Sequence, residues 1–190
     1  MKELTQMVVV LTLICAVCGF ALSGLRDSTA ERIQTQILLN VQGPKVKQVL
    51  EGSENDLIQD RRTLMVKGQP LTVFVGKKGG KPWAVAFEAA GKGFGGAISV
   101  MTGYRLDSNA LTGIQVVSHK ETPGIGSRVT EPLFTDQFKG LDLPMVLPPG
   151  QCPKGIDAIS GATYSTGGVC AAIATSLPIY TEVKKQVVGP

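Results

Sequence analysis

The hydrophobic and polar positions divide the chain into an apolar beginning and a longer part in which the two kinds alternate. Residues 4–25 carry no charged side chain. A helix rises about 1.5 Å per residue, so this segment can cross the roughly 30 Å hydrocarbon core of a bilayer. We predict a single membrane anchor. A cleaved signal peptide is the alternative, because small residues lie near the end of the segment.

The stretch after the anchor has the pattern of short helices followed by a polar loop. Ser28 and Glu31 have the spacing of a capping box, which predicts the start of a juxtamembrane helix that continues the anchor. Gly43-Pro44 is expected to break it before a second helical stretch over 45–50. The polar run 53–62 predicts a loop or a ragged helix.

Alternating apolar positions separated by turn residues then predict four strands. Gly79-Gly80 indicates a hairpin turn between the first two strands. Successive short strands favour an antiparallel meander packed by helices on one face. The predicted strands cover residues 71–75, 83–88, 97–104 and 111–117.

The last third of the chain alternates between helical and irregular patterns. A short helix with proline near its first turn is expected over 131–138, and the proline-rich stretch 141–155 is expected to be irregular. Small apolar residues from Val169 predict a further helix. Residues 179–187 are expected to form a separate terminal helix on the surface.

Hydroxyl groups and glycines are concentrated in the segment 157–168, at the entrance of a predicted helix. Small residues before Thr163 let a bulky group approach the backbone, and the unpaired N–H groups of a helix start favour an anion. Both features are typical of a phosphate site. In the structural alternative, Ser165 or Thr166 caps the helix and the glycines are turn residues.

Charge and composition narrow the function classes. The net charge of +4 comes from scattered basic residues and aromatic residues make up 5%, so no nucleic-acid surface is indicated. No nucleophile, base and orienting residue form a recognisable set, and the cysteines do not fit an iron–sulfur cluster. His119 is the only histidine, which excludes a multi-histidine metal site. We interpret it as a hydrogen-bonded structural group.

The four cysteines form two pairs along the chain. Cys15 and Cys18 lie in the apolar segment, where small soft side chains are ordinary. Cys152 and Cys170 bracket the hydroxyl-rich segment. They form a disulfide if this part lies outside the cytoplasm, or stay two buried thiols in reducing surroundings, and their spacing fits both.

Three motifs resemble those of a known family. Ser160-Gly161-Ala162-Thr163, preceded by Asp157, resembles the Ser/Thr-Gly-Ala-Thr signature of domains that carry FMN in phosphoester linkage to the last threonine. Residues 118–126 resemble the His-x-Glu-Thr-Pro-Gly-x-Gly segment of the same family, and residues 95–103 fit its strand-and-turn pattern. With its apolar beginning and 190 residues, the chain is most similar to the G subunit of Rnf-type electron-transport complexes.

The resemblance implies an α+β fold in which a single N-terminal transmembrane helix precedes an FMN-binding domain with an antiparallel sheet packed by helices. The expected divisions are a membrane anchor over 1–27, a juxtamembrane helical region over 28–67 and the FMN-binding domain over 68–190. The resemblance places that domain on the extracytoplasmic side of the cell membrane. The charges that flank the anchor are balanced and leave the orientation open.

The resemblance also implies covalent FMN on Thr163, attached by a separate flavin transferase that uses FAD. Asp157 is assigned to loop geometry or to metal and hydroxyl activation during attachment. Tyr164 either shields the ring or merely packs. No catalytic residue or resident metal is expected, because the flavin carries the chemistry. The other residues expected near the cofactor are Ser160, Gly161, Ala162, Ser165, Thr166, Glu121, Thr122, Pro123 and Gly124.

The implied function is electron transfer within a membrane complex that couples electron flow between ferredoxin and NAD to ion translocation. Such a redox component of a translocase is expected to have no independent turnover. Its expected partners are the other proteins of the complex, the membrane and the flavin transferase, and no nucleic acid. The alternatives are the C subunit of a sodium-pumping NADH:quinone reductase and a non-redox membrane-anchored binding or assembly module. A secreted flavin reductase is disfavoured, because no nucleotide-binding fingerprint is present.

Overall fold

The chain begins with a long apolar helix in the computed structural model, which describes residues 2–108, 110–142, 147–148 and 151–189. Helix α1 covers Lys2–Gln36, a π-helical segment covers Ile37–Gln42, and helix α2 covers Gly43–Val49. By length and composition this helical run is the one candidate membrane span among the described residues. The predicted long apolar helix is therefore confirmed.

Two details of the predicted juxtamembrane region are wrong. Ser28 does not start a helix; it lies within α1, and its Oγ donates to the carbonyl of Leu25 at 2.9 Å. Gly43-Pro44 does not break the helical run either, because Pro44 lies in the first turn of α2, where a missing N–H removes no helical hydrogen bond. The π-helical turn directly before α2 accommodates the change in helix geometry, as such turns do within helices.

The sheet is a five-stranded antiparallel meander in which each strand pairs with the next one along the chain. The predicted meander is confirmed, but the sequence pattern missed its first strand. That strand lies at the end of the region expected to be helical, and its tight turn contains Lys67 at a positive φ of 51°. The strands are β1 (Arg62–Val66), β2 (Gln69–Lys78), β3 (Lys81–Lys92), β4 (Ala97–Arg105) and β5 (Leu111–Ser118).

Helices cover both faces of the sheet, so the prediction of a single covered face is wrong. Along β4, Tyr104 bonds Ser176 of helix α4 (Thr163–Val188), whereas the neighbouring Gly103 faces α2, where an added Cβ would lie 2.3 Å from Val49. Successive residues of a strand point to opposite faces. The unbroken apolar run 84–87 in β3, buried at all four positions, is the sequence signal of this double coverage.

Helix α4 forms the centre of the larger core. Its buried residues pack against inward positions of the sheet, in a cluster that includes Val73, Phe87, Val100 and Ile173. The separate terminal helix expected over 179–187 is wrong, because α4 continues through Pro178 and buries Tyr180. A proline inside a helix removes one hydrogen bond, and burial of the following turn compensates for that loss.

Short helical turns connect the sheet to α4. A 3₁₀ turn covers Gly126–Thr130, helix α3 covers Pro132–Thr135 and a second 3₁₀ turn covers Asp136–Phe138, which confirms the short helix expected over 131–138. In the stretch expected to be irregular, the described residues 141–142, 147–148 and 151–153 form neither helix nor strand. Residues 143–146 and 149–150 of that stretch lie outside the described residues.

Candidate functional site

The first turn of α4 presents Thr163 at its very start. Ala162 is the N-cap and supplies no side-chain cap, and Gly161 before it has a φ of +79°. The interpretation of Ser165 or Thr166 as the cap is therefore wrong, because both lie inside the helix. The first N–H groups of a helix have no partner within it, so they remain available to an anion beside Thr163.

The serine and threonine hydroxyl groups of this segment divide into two buried and two exposed ones. Ser165 and Thr166 are each only 2% exposed. The Ser165 hydroxyl donates to Glu121, and the Thr166 hydroxyl accepts the N–H of Ile159 at 3.2 Å. Thr163 and Ser160 are exposed instead. Thr163 is thus the exposed hydroxyl that stands at the head of the helix itself.

Glu121 joins the two sequence motifs beneath the helix start. Its side chain is 5% exposed and accepts the N–H of Gly95 at 2.9 Å as well as the Ser165 hydroxyl. Gly126 is required here, since an added Cβ would lie 2.6 Å from Ser165 Oγ and 2.9 Å from the Glu121 side chain. His119 Nδ1 accepts the Glu121 N–H at 3.2 Å, which fits its expected structural role.

A cavity of about 380 Å³ opens over this helix start. Pockets of about 300–1,000 Å³ are typical of small-molecule sites. The cavity wall contains six of the predicted site residues, and four further residues of the wall were not among the predicted ligands. Its lining is Glu121, Thr122, Gly161, Ala162, Thr163 and Ser165, together with Phe94, Ile125, Gly126 and Tyr164.

The remaining predicted residues lie elsewhere. Asp157 and Ser160 line a neighbouring cavity of about 510 Å³, and the N–H of Asp157 donates to Gln137 Oε1 at 2.7 Å. Thr166, Pro123 and Gly124 line neither cavity.

Of the wall residues that sequence reasoning missed, Phe94 had a usable signal. It is the one apolar side chain within the glycine-rich stretch 91–96. An apolar side chain presented by a turn without other bulky residues has little to pack against in its own segment. Such a position favours contact with a ligand or a distant part of the chain.

The two cysteines around the hydroxyl-rich segment are joined. Cys152 and Cys170 form a disulfide with a Cα–Cα distance of 4.9 Å, which decides between the two alternatives left open by their spacing. Cys170 lies in α4 and Cys152 in the loop before it. The segment that carries Gly161 and Thr163 is therefore attached to α4 at both ends, by the disulfide at Cys152 and by the chain itself where α4 begins.

Comparison with known proteins places this site in a family. Residues 93–177, which include the cavity, match the FMN-binding domain. The G subunit of the ion-translocating oxidoreductase complex of Methanosarcina acetivorans is 31% identical over 185 residues, covering 90% of this chain and 92% of that protein. The chain belongs to the G-subunit family of these complexes. This membership excludes the alternative that the chain is a C subunit of the sodium-pumping reductase.

Other relatives in the G-subunit family match over shorter ranges. The protein of Cereibacter sphaeroides is 33% identical over 144 residues, which is 72% of this chain but only 65% of that protein. The G subunit of the proton-translocating ferredoxin:NAD(+) oxidoreductase complex of Clostridium ljungdahlii is 34% identical over 98 residues, about half of each chain (50% and 52%). The chain thus spans less than two thirds of some of the relatives that it matches.

The fold of this family member is also found among solved structures. The C subunit of the Na(+)-translocating NADH-quinone reductase of Parabacteroides distasonis superimposes with a TM-score of 0.51 and 28% identity, covering 69% of this chain and 71% of that one. The expected α+β architecture, a long apolar helix followed by an antiparallel sheet with helices, is thus confirmed. The two kinds of subunit share a fold although they belong to different complexes.

The residues present fit an FMN group. The N–H groups at the start of α4 suit a phosphate, the left-handed Gly161 leaves the approach to Thr163 open, and apolar side chains form much of the cavity wall. The carboxylate of Glu121 is held by its two hydrogen-bond donors. The arrangement can hold a phosphate at the helix start and an aromatic ring system beside it.

Proposed function

We propose that this member of the G-subunit family carries FMN as a phosphoester on Thr163 and transfers electrons within an Rnf-type complex. The observation that carries the proposal is the position of Thr163: an exposed hydroxyl at the first residue of α4, in the wall of the cavity. The match of residues 93–177 to the FMN-binding domain supports the same cofactor.

When bound, FMN supplies one- and two-electron redox chemistry, and the chain's own residues hold it. The N–H groups of the first turn of α4 would donate to phosphate oxygens, and the helix dipole would favour their negative charge. Ser165 and Glu121 fix that turn from below. The apolar residues of the cavity wall would exclude water from a bound ring.

Attachment requires that a transferase reach the hydroxyl. In the reaction, the Thr163 oxygen forms a bond to the FMN phosphorus of FAD, the pyrophosphate bond breaks, AMP leaves and a base takes the hydroxyl proton. Asp157 is exposed on the same loop, beside the second cavity, where a transferase could contact it. The buried Ser165 and Thr166 are closed to that reaction.

The Cys152–Cys170 disulfide supports a location of the FMN domain outside the cytoplasm, since structural disulfides persist in oxidising compartments. We assign the apolar part of α1 to a single membrane crossing, with the domain from Val41 onward on the extracytoplasmic side. The anchor keeps the flavin close to membrane-bound partners, which raises their effective concentration.

The complex proposed for this chain is an ion-translocating oxidoreductase that passes electrons between ferredoxin and NAD. The name of the Clostridium ljungdahlii relative supports these substrates, and the name of the Methanosarcina acetivorans relative supports ion translocation. The other proteins of that complex and a flavin transferase are the proposed partners. The chain itself acts as a redox carrier within the translocase.

The test is attachment of flavin in cells that also make a flavin transferase. The full chain, Thr163→Ala, Thr163→Ser and the matched control Ser160→Ala would be purified, denatured and measured by intact mass and in-gel flavin fluorescence. We expect an FMN-sized mass increment and fluorescence in the wild type and in Ser160→Ala. Both signals should be absent from Thr163→Ala, and Thr163→Ser should retain some of them.

Two results would count against the proposal. A wild-type chain that carries no flavin would contradict the proposal that the chain carries FMN covalently. A Thr163→Ala variant that keeps the full mass increment would show that FMN is attached to another hydroxyl. Ser160 is the first alternative, because it is also exposed.

A further inference from the structure

Two aromatic side chains stand exposed at the cavity beside Thr163. Phe94 is 73% exposed and Tyr164 is 76% exposed. Their rings pair with each other at a centroid distance of 6.4 Å and an interplanar angle of 52°. Ile125, also exposed, completes an apolar part of the same cavity wall. A cluster of large apolar side chains around one opening marks a binding site more often than scattered exposed residues do.

Both rings are held by fixed backbone. Phe94 lies in the turn between β3 and β4, where the N–H of Gly93 donates to the carbonyl of Gly96 at 2.8 Å and the N–H of Gly95 donates to Glu121. Tyr164 belongs to the first turn of α4, directly after Thr163. Their exposure is therefore built into the turn and the helix rather than left to a loose loop.

We propose that Phe94 and Tyr164 bind the isoalloxazine ring of the FMN held at Thr163. This inference rests on the proposed function and assigns the ring, as distinct from the phosphate, to named side chains. Offset or tilted contacts between aromatic rings are favourable beyond the apolar area that they bury. A flavin ring packed on the pair would also remove two exposed aromatic surfaces from water.

Tyr164 has a second consequence for the ring. Because it follows the attachment residue directly, its position is tied to that of the phosphate, and Phe94 approaches from a different element. Two supports from separate parts of the chain determine the direction of the ring as well as its distance from Thr163. The two aromatic residues thus act as positioning residues for the cofactor.

The experiment measures how well the protein shields bound flavin from iodide, a collisional quencher of flavin fluorescence. The flavin-loaded full chain in detergent would be compared with Phe94→Ser, Tyr164→Ser, the double variant and Tyr164→Phe. Met65→Ser is the matched control, because Met65 is also an exposed apolar residue (58%) but lies in β1, outside the cavity. None of these changes alters the charge near the ring, so iodide is attracted equally in all of them.

Each serine variant is expected to raise the ratio of uncovered to covered ring by about two- to tenfold, because one aromatic contact provides a factor of this size. The bimolecular quenching constant, which is the Stern–Volmer slope divided by the fluorescence lifetime without iodide, should approach that of free FMN in the double variant. In Tyr164→Phe and Met65→Ser it should match the wild type. Flavin content after denaturation should be equal in all variants, since Thr163 is unchanged.

Equal iodide quenching in the double variant and the wild type, at equal flavin content, would overturn the assignment of the ring alone. Absence of flavin from the denatured wild type would overturn the assignment together with the proposed function. A serine variant that loses flavin content would be checked by urea unfolding. A midpoint equal to that of Met65→Ser would then show that the aromatic pair acts on attachment and not on the bound ring, which also contradicts the proposal.

Discussion

Replacing Glu121 with alanine is expected to destabilise the folded part of the chain by about 3–6 kcal/mol, since hydrogen bonds to a charged group are worth about 1.5–3 kcal/mol each. Glu121 makes two such bonds, to the Gly95 N–H and the Ser165 hydroxyl, and is only 5% exposed. The alanine variant leaves the buried Ser165 hydroxyl and the Gly95 N–H without this acceptor. Glutamine can accept from Gly95 and donate to Ser165, so Glu121→Gln should cost only about 1–3 kcal/mol.

Urea unfolding of the full chain in detergent provides the measurement. Trp83 is the only tryptophan and lies in β3, so its fluorescence reports on the sheet. Glu131→Ala is the matched control: its carboxylate is exposed and 3.6 Å from Arg128, and exposed ion pairs contribute about 0–1 kcal/mol. Flavin attachment should decrease in the order wild type, Glu121→Gln, Glu121→Ala. A Glu121→Ala variant within about 1 kcal/mol of the control would refute the reasoning.

Three further predictions concern the same domain. Removing the disulfide by Cys152→Ala with Cys170→Ala should lower stability by about 3 kcal/mol, because a loop of this length gains entropy on unfolding; a urea midpoint indifferent to reductant in the wild type would contradict this. Gly161→Ala should cost about 1–2 kcal/mol and reduce flavin attachment, since alanine is strained at positive φ; full attachment at unchanged stability would disprove it. Burial raises the pKa of Tyr104 well above its usual value and the pKa of Tyr180 to about 12. The folded state therefore binds the phenolic protons of these two tyrosines more tightly than the unfolded state does. Their contribution to stability is complete below about pH 10 and is lost as the pH rises further. The thermal midpoint should fall as the pH rises above about 10, and less steeply in Tyr104→Phe; equal slopes would contradict the assignment.

The sequence predicted the elements whose signals are local. Alternation defined β2 to β5, and Gly79-Gly80 defined the hairpin turn. The short strand β1 was missed because it directly follows a polar run and most of its positions are exposed, so it has little apolar alternation. The path of α4 through Pro178 was also missed, because local propensity disfavours it and only burial against the sheet compensates.

The site was predictable in part for a similar reason. Motif resemblance identified residues of the cavity wall between Glu121 and Ser165 but not how they meet. Glu121 and Ser165 are 44 positions apart, and their hydrogen bond depends on the packing of α4 against the end of the sheet. Phe94 belongs to a third segment, brought to the cavity by the turn between β3 and β4. Spacing along a chain carries no record of such long-range contacts.

The position of Thr163 at the head of α4 also determines how a flavin could move. The 26-residue helix that begins there is the main element of the core, and the disulfide fastens the preceding loop to it. The protein therefore supplies no flexible arm for a cofactor mounted at this point, and only the single bonds of the ribityl chain let its ring turn. Any larger decrease in the distance between the flavin ring and an electron donor or acceptor must come from displacement of the whole domain or of the partner, so the rate of electron delivery would follow domain motion.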